Sequence, residues 1–191
     1  MIRLGILGST RGSSMLPIIE AIKQNQLSAQ INVVISNKPA FILQQAAKYN
    51  IPTQFLDPKN KTREEYDQEV SKILTQYQVD LVILIGYMRI LSLQFVTNWR
   101  DKIINIHPSL LPAFAGGMDL DVHQAVLASG VKETGCTVHV VTREVDAGPI
   151  VVQKKCQVLK DDTVETLKQR VQALEGNALI TAIDLFSKIS S

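Results

Sequence analysis

Val79-Asp80-Leu81-Val82-Ile83-Leu84-Ile85-Gly86 is the stretch that decides the fold. It is almost wholly apolar, so a strand built from it needs cover on both faces. That is the pattern of a central parallel strand with helices on either side. Gly86-Tyr87-Met88-Arg89-Ile90-Leu91 follows and leaves the sheet at the strand's carboxyl end. In open parallel sheets ligands bind along that edge.

Working outward, residues 63–77 read as a helix opened by a capping box, Thr62 with Glu65. Residues 2–7, 31–35 and 51–56 read as earlier strands. A helix carrying Met15, Leu16, Ile18, Ile19 and Ile22 on one stripe follows the first, and residues 39–50 form another. Residues 92–99 read as a short helix. Residues 103–106 are a buried strand that stops at once in His107-Pro108-Ser109-Leu110-Leu111-Pro112, because Pro108 lacks an amide proton and holds His107 extended. Residues 113–121 read as a loop with two glycines and two carboxylates, Asp119 and Asp121, and residues 122–129 as a helix. Residues 135–141 alternate, with Cys136, Val138 and Val140 opposite Thr137, His139 and Val141. Residues 150–158 form the next strand. Only a short loop separates these two, too short for a helical crossover, so the pair is expected to be antiparallel. Residues 161–189 read as a long terminal helix with a capping-box pattern at Asp162 and Glu165. Gly176 interrupts it at a cost of about 1 kcal/mol relative to Ala, which points to a bend or a close approach. The fold class is therefore α/β: a Rossmann-like doubly wound sheet, parallel in its N-terminal part, with an antiparallel C-terminal hairpin and a long terminal helix.

Composition sets bounds on function. At 191 residues the chain is expected to be a single domain, 1–191. Hydrophobic content of 46% and charged content of 20% are ordinary for a globular protein. A net charge of +2 points to no nucleic-acid partner. No apolar run reaches membrane-spanning length, and Met1-Ile2-Arg3-Leu4 lacks a signal-peptide pattern. Cys136 and Cys156 show no metal-ligand pattern and are expected to be reduced and buried. No metal and a cytoplasmic location are the expectations.

Two places carry polar groups suited to chemistry. The first is Gly8-Ser9-Thr10-Arg11-Gly12-Ser13-Ser14, a loop between a strand and a helix N-terminus, where amides and helix dipole suit a phosphate. The spacing of Gly5, Gly8 and Gly12 is not the dinucleotide fingerprint, and no Gly-Lys-Ser/Thr occurs. Ser36-Asn37-Lys38 after the second strand offers no acid for a ribose diol, which argues against NAD. A tight turn with a serine cap is the plainer reading of the loop. The second place is the strand exit, where alternation puts Asn105 and His107 on one side. A polar strand exit is the plainer reading there. A carboxylate beside the imidazole stabilises its charged form, raises its pKa, and lets the pair donate a proton or hold an oxyanion. Asp146, just before Gly148-Pro149, is the candidate, and a turn aspartate is its alternative.

Asn105-x-His107-Pro108-Ser109-Leu110-Leu111-Pro112 with the later Asp146-x-Gly148-Pro149 resembles the folate-dependent formyltransferases. Gly135-Cys136-Thr137-Val138-His139 and Gly86 to Leu91 extend the match, and the loop from Thr10 to Ser14 narrows it to the branch acting on glycinamide ribonucleotide in purine synthesis. The resemblance implies transfer of a formyl group from 10-formyltetrahydrofolate, as cosubstrate, to the ribonucleotide amine. It implies that Asn105 and protonated His107 stabilise the tetrahedral oxyanion, and that Asp146 keeps His107 charged and helps proton transfer through water. Gly12, Ser13 and Ser14 match a phosphate loop, and Gln172 and Glu175 the positions that hold the ribose. Arg63, Met88, Arg89, Ile90, Leu91, Asn105, Thr142, Arg143, Glu144, Val145 and Asp146 match the folate site, largely through backbone. The partners it implies are these two small molecules, with no nucleic acid or membrane, and a monomer or weak homodimer.

Three positions depart from the family pattern. Ser14 stands where Asn is usual, residues 115–123 replace the common Pro-Gly-Leu-His-x-His run, and Gly176 replaces a bulkier polar residue. Relatives acting on methionyl-tRNA or an amino sugar are expected to carry a further C-terminal domain. A formyltetrahydrofolate hydrolase is expected to carry an N-terminal regulatory one. Neither is expected in residues 1–191. A non-catalytic nucleotide-binding module is the reading from a different class, and it has no use for Asn105, His107 and Asp146 together.

Overall fold

A computed structural model describes residues 1–118 and 120–189, the side chain of residue 189 excepted; Asp119 of the expected loop lies outside the described residues. The elements alternate as the apolar pattern dictates: β1 Ile2–Gly8, α1 Met15–Lys23, β2 Ala29–Ser36, α2 Phe41–Lys48, β3 Thr53–Phe55, α3 Arg63–Gln76 and β4 Leu81–Ile85. They continue with α4 Leu93–Asn98, β5 Ile103–His107, α5 Leu120–Ser129, β6 Glu133–Val140, β7 Ile150–Gln157 and α6 Val164–Ile189. Among the described residues the strands form one sheet in the order β3-β2-β1-β4-β5-β6-β7. Pairs from β3 to β5 are parallel; β5 with β6 and β6 with β7 are antiparallel.

Period-two alternation sorts the strand side chains onto two faces. Leu4, Ile6, Ile83, Ile104, Ile106, Cys136 and Val138 face a core shared with α1, α2, α5 and α6. Leu7, Val82, Leu84 and Ile103 face a second core with Tyr66, Val70 and Leu74 of α3 and Phe95 and Trp99 beyond it. Asn105 and His107 share the side of Ile103, as alternation requires. The strand order reverses between β1 and β4, and crevices for ligands open at such a switch point. Ser9 ties the strand ends together there. Its amide donates to the Gly86 carbonyl at 3.1 Å, and its Oγ accepts the Met88 amide at 2.9 Å and donates to Asn37 at 2.5 Å.

The expected capping box of α3 is present in full, Thr62 with Glu65. That of α6 is displaced by one residue. The helix begins at Val164 rather than 161, and the reciprocal cap is Thr163 with Thr166, at 3.2 and 2.9 Å. Asp162 is drawn away by Arg170, which grips it at 2.5 and 2.8 Å, so it is not free to cap. Gly176 marks a close approach: a Cβ there would lie 2.4 Å from Pro17 of α1. Cys136 is buried as expected; Cys156 is only half-buried, because β7 is the sheet's last strand.

Candidate active site

The carboxyl ends of β1, β4 and β5 open into a cavity of about 760 Å³, which α6 closes from the side. All but one of the expected site residues line it. Arg63 does not: it is exposed at the first position of α3 and is not among the lining residues.

At one end lies the loop after β1. Gly12 has φ +69°, and a Cβ on it would lie 2.3 Å from Ile42, so both conformation and space require glycine. Ser14 stands at the N-cap of α1 but makes no side-chain cap bond. Its Oγ instead donates to the Glu175 carboxylate at 2.5 Å, across 161 residues of sequence. The two positions expected to hold phosphate and ribose are thus bonded to each other. Gln172 lies on the same stretch of α6, and Arg11, Lys168 and Gln169 also face the cavity here. Lys168 precedes Gln172 by four positions, a same-face spacing that the sequence already contained.

At the other end Asn105 and His107 leave β5. His107 is 3% exposed. Its Nδ1 faces Asp146 Oδ2 at 3.3 Å and its Nε2 faces the Phe114 carbonyl at 3.1 Å. Only a doubly protonated ring donates to both. Burial nevertheless pushes the imidazole below its ordinary pKa, outweighing the Asp146 charge and the Phe114 carbonyl that pull it up; His139 pushes it further down. The sequence expectation of a raised pKa is corrected accordingly. The carboxylate acts in the expected direction, but desolvation of a ring this deep is the larger effect.

Asp146 sits at φ +54°, a left-handed turn position that aspartate tolerates. Burial pushes its carboxyl up. The hydrogen bond with His139, the Gly116 amide and the two imidazoles prevail and hold it below the usual carboxylate range. The Gly116 amide donates to Oδ2 at 2.8 Å, and His139 Nε2 lies 3.4 Å from Oδ1.

His139 belongs to the site, although the sequence reading gave it no role. It lies opposite Asn105 in the β5–β6 register. Its Nδ1 and Nε2 lie 3.0 Å from the Val140 carbonyl and 3.1 Å from Asn105 Nδ2. With Nδ1 donating to the Val140 carbonyl, a neutral ring accepts one Asn105 N–H at Nε2 and leaves the other free, whereas a charged ring donates Nε2–H to Asp146 and frees both Asn105 N–H groups. The alternation of 135–141 carried half of this signal; strand register, which the sequence did not reveal, carried the rest. Thr137, opposite His107, donates to the Ser109 carbonyl at 2.7 Å and accepts the Leu111 amide at 3.0 Å, so β6 also shapes the turn after His107.

Met88 to Leu91 and Thr142 to Val145 also line the cavity. Met88, Ile90 and Val145 are exposed apolar side chains, 42%, 52% and 56%. They give this wall the apolar character that a flat heterocycle favours.

The formyl transferase family model matches residues 2–183 of the chain. The phosphoribosylglycinamide formyltransferase of Escherichia coli (strain K12) is 40% identical over 172 residues, 89% of this chain and 80% of that protein. The human trifunctional purine biosynthetic protein adenosine-3 is 42% identical over 185 residues, 96% of this chain; the chain spans 18% of that protein's length. The crystal structure of glycinamide ribonucleotide transformylase 1 from Symbiobacterium toebii superposes with a TM-score of 0.94 at 39% identity, covering 98% of this chain and 88% of that one.

Proposed function

The chain belongs to the formyl transferase family, and from that premise we propose that it moves the formyl group of 10-formyltetrahydrofolate onto the amine of glycinamide ribonucleotide, a step of de novo purine biosynthesis. The observation that carries this reading is the meeting of Asn105, His107 and Asp146 at one end of a cavity whose other end is the Gly12, Ser13 and Ser14 loop.

The amine attacks the formyl carbon, and the carbonyl oxygen takes up negative charge. The free N–H of Asn105 and the His107 ring are the donors to that oxyanion, the kind of group whose worth is realised in the transition state. Collapse breaks the carbon–nitrogen bond to the folate. The folate nitrogen takes a proton and the attacking amine loses one, with Asp146 and His107 carrying it through water. Asp146 counters the desolvation of His107, so that the ring can accept a proton when the intermediate forms. The loop amides hold the phosphate, Gln172 and Glu175 the ribose, and Met88, Arg89, Ile90, Leu91, Thr142, Arg143, Glu144 and Val145 the folate.

With this reading go one formyltransferase domain in residues 1–191, a cytoplasmic location and a monomer or weak homodimer. Incubation with both substrates tests it. The formyl group is expected on the ribonucleotide, with tetrahydrofolate released in equal amount. Release of free formate would instead make the chain a hydrolase, and no consumption of the folate a binding module.

A further inference from the structure

The wall from Tyr87 to Leu91 rests on residues that never reach the cavity. Asp67 of α3 is 2% exposed and absent from the lining, and its Oδ2 accepts the Ser92 amide at 2.5 Å. Ser92 is itself buried and caps α4 by accepting the Phe95 amide at 3.2 Å. The preceding residue of α3, Tyr66, is fully buried, and the Arg89 guanidinium lies 4.3 Å from its ring centroid. The Arg89 side chain is thus folded back onto α3. Trp99 Nε1 donates to Ser71 at 2.9 Å and fixes α4 to the same helix.

A buried carboxylate is a costly way to hold one amide. Burial pushes the Asp67 carboxyl above its ordinary value, while the Ser92 amide and hydroxyl and the Arg89 and Arg63 charges pull it down. The segment has a second tether, the Met88 amide on Ser9, which belongs to the loop at the opposite end of the cavity. The two tethers are therefore separable. Ser9 ties the wall to the phosphate loop, and Asp67 ties it to α3 alone.

We propose that Asp67, which touches neither substrate, is a positioning residue for the formyl donor, setting the 87–91 wall through the Ser92 amide. This rests on the reading above that the wall takes the folate. Small displacements of a binding wall are felt strongly by a rigid ligand. Dissociation constants for tetrahydrofolate and for glycinamide ribonucleotide, measured by calorimetry, need no turnover. Asp67→Ala is expected to weaken tetrahydrofolate by about tenfold and the ribonucleotide by less than about twofold. Asp67→Asn keeps an acceptor oxygen of the same reach and is expected to restore tetrahydrofolate to within about twofold of wild type. Asp67→Ser takes the place of the alanine variant should that not fold. Equal weakening of both ligands, an unchanged tetrahydrofolate constant, or an asparagine variant as weak as alanine overturns the assignment. So does failure of both the alanine and serine variants to fold, which makes Asp67 a residue of the core. Wild type that binds tetrahydrofolate but transfers no formyl group overturns the proposed reaction while the Asp67 comparison still stands; wild type that binds no tetrahydrofolate overturns both.

Discussion

The two ends of the cavity are held in different ways. At the phosphate-loop end Ser14 bonds Glu175, side chain to side chain, and each sits on a helix. Pro17 packed on Gly176 locks those helices together three residues and one residue further along. At the other end His107 and Asp146 face each other, and main chain completes them: the Phe114 carbonyl and the Gly116 amide of the loop after β5. A helix pair changes geometry as a unit, whereas a loop peptide group is replaced by another acceptor or donor one bond at a time. The first end is therefore held between two helices, and the second in part by loop peptide groups.

The sharpest way to break this contrast is to remove the chemistry at the second end. Asn105→Ala and His107→Ala are each expected to lower kcat by a factor on the order of 100 to 1,000, the cost of a lost oxyanion donor. The double variant should fall little further, because groups serving one intermediate act as a unit. Dissociation constants for both substrates should stay near wild type. Near-full turnover in both single variants would reduce this end to a polar strand exit.

Gly12→Val attacks the first end. It forces a β-branched residue to φ +69° and drives its Cβ into Ile42. The Michaelis constant for the ribonucleotide should rise by about tenfold or more, equivalent to about 1.4 kcal/mol, and that for the folate should hardly change. A rise shared by both would mean that the two ends are not independent.

The smallest effect is on stability. His107 has a folded pKa below its unfolded value, so folding excludes its proton, and the resulting stability is full above the unfolded pKa of about 6.5. It is lost as pH falls through the lower, folded value. Asp146, also depressed, adds a second loss below about 4. Denaturant unfolding at pH 7.5 and pH 5 should show the first loss, and His107→Gln should remove it. NMR titration of His107 should find its pKa lower in Asp146→Asn than in wild type. An unchanged pKa would leave Asp146 as a turn residue.

Much of this was legible from residue order. The apolar run before Gly86 placed β4 at the sheet centre, and the short link between 141 and 150 made the last pair antiparallel. Spacing brought Asn105 beside His107, and the tight loop before Gly148-Pro149 made Asp146 the candidate carboxylate. What the sequence hid depends on three dimensions. His139 needed the strand register. The Ser14 bond to Glu175 spans 161 positions. The direction of the His107 pKa turned on depth of burial, which a neighbouring carboxylate in sequence does not disclose. The α6 cap moved by one residue because Arg170 competes for Asp162.

The loop that covers His107 and Asp146 does so with a carbonyl from Phe114 and an amide from Gly116. Every residue other than proline offers both groups. The cover therefore asks of its sequence only a backbone able to turn at φ +60° and +77°, the second at a glycine. Side chains along 113–118 are spared from that duty. A loop of different wording can close over the same two groups, because they read its backbone and not its letters.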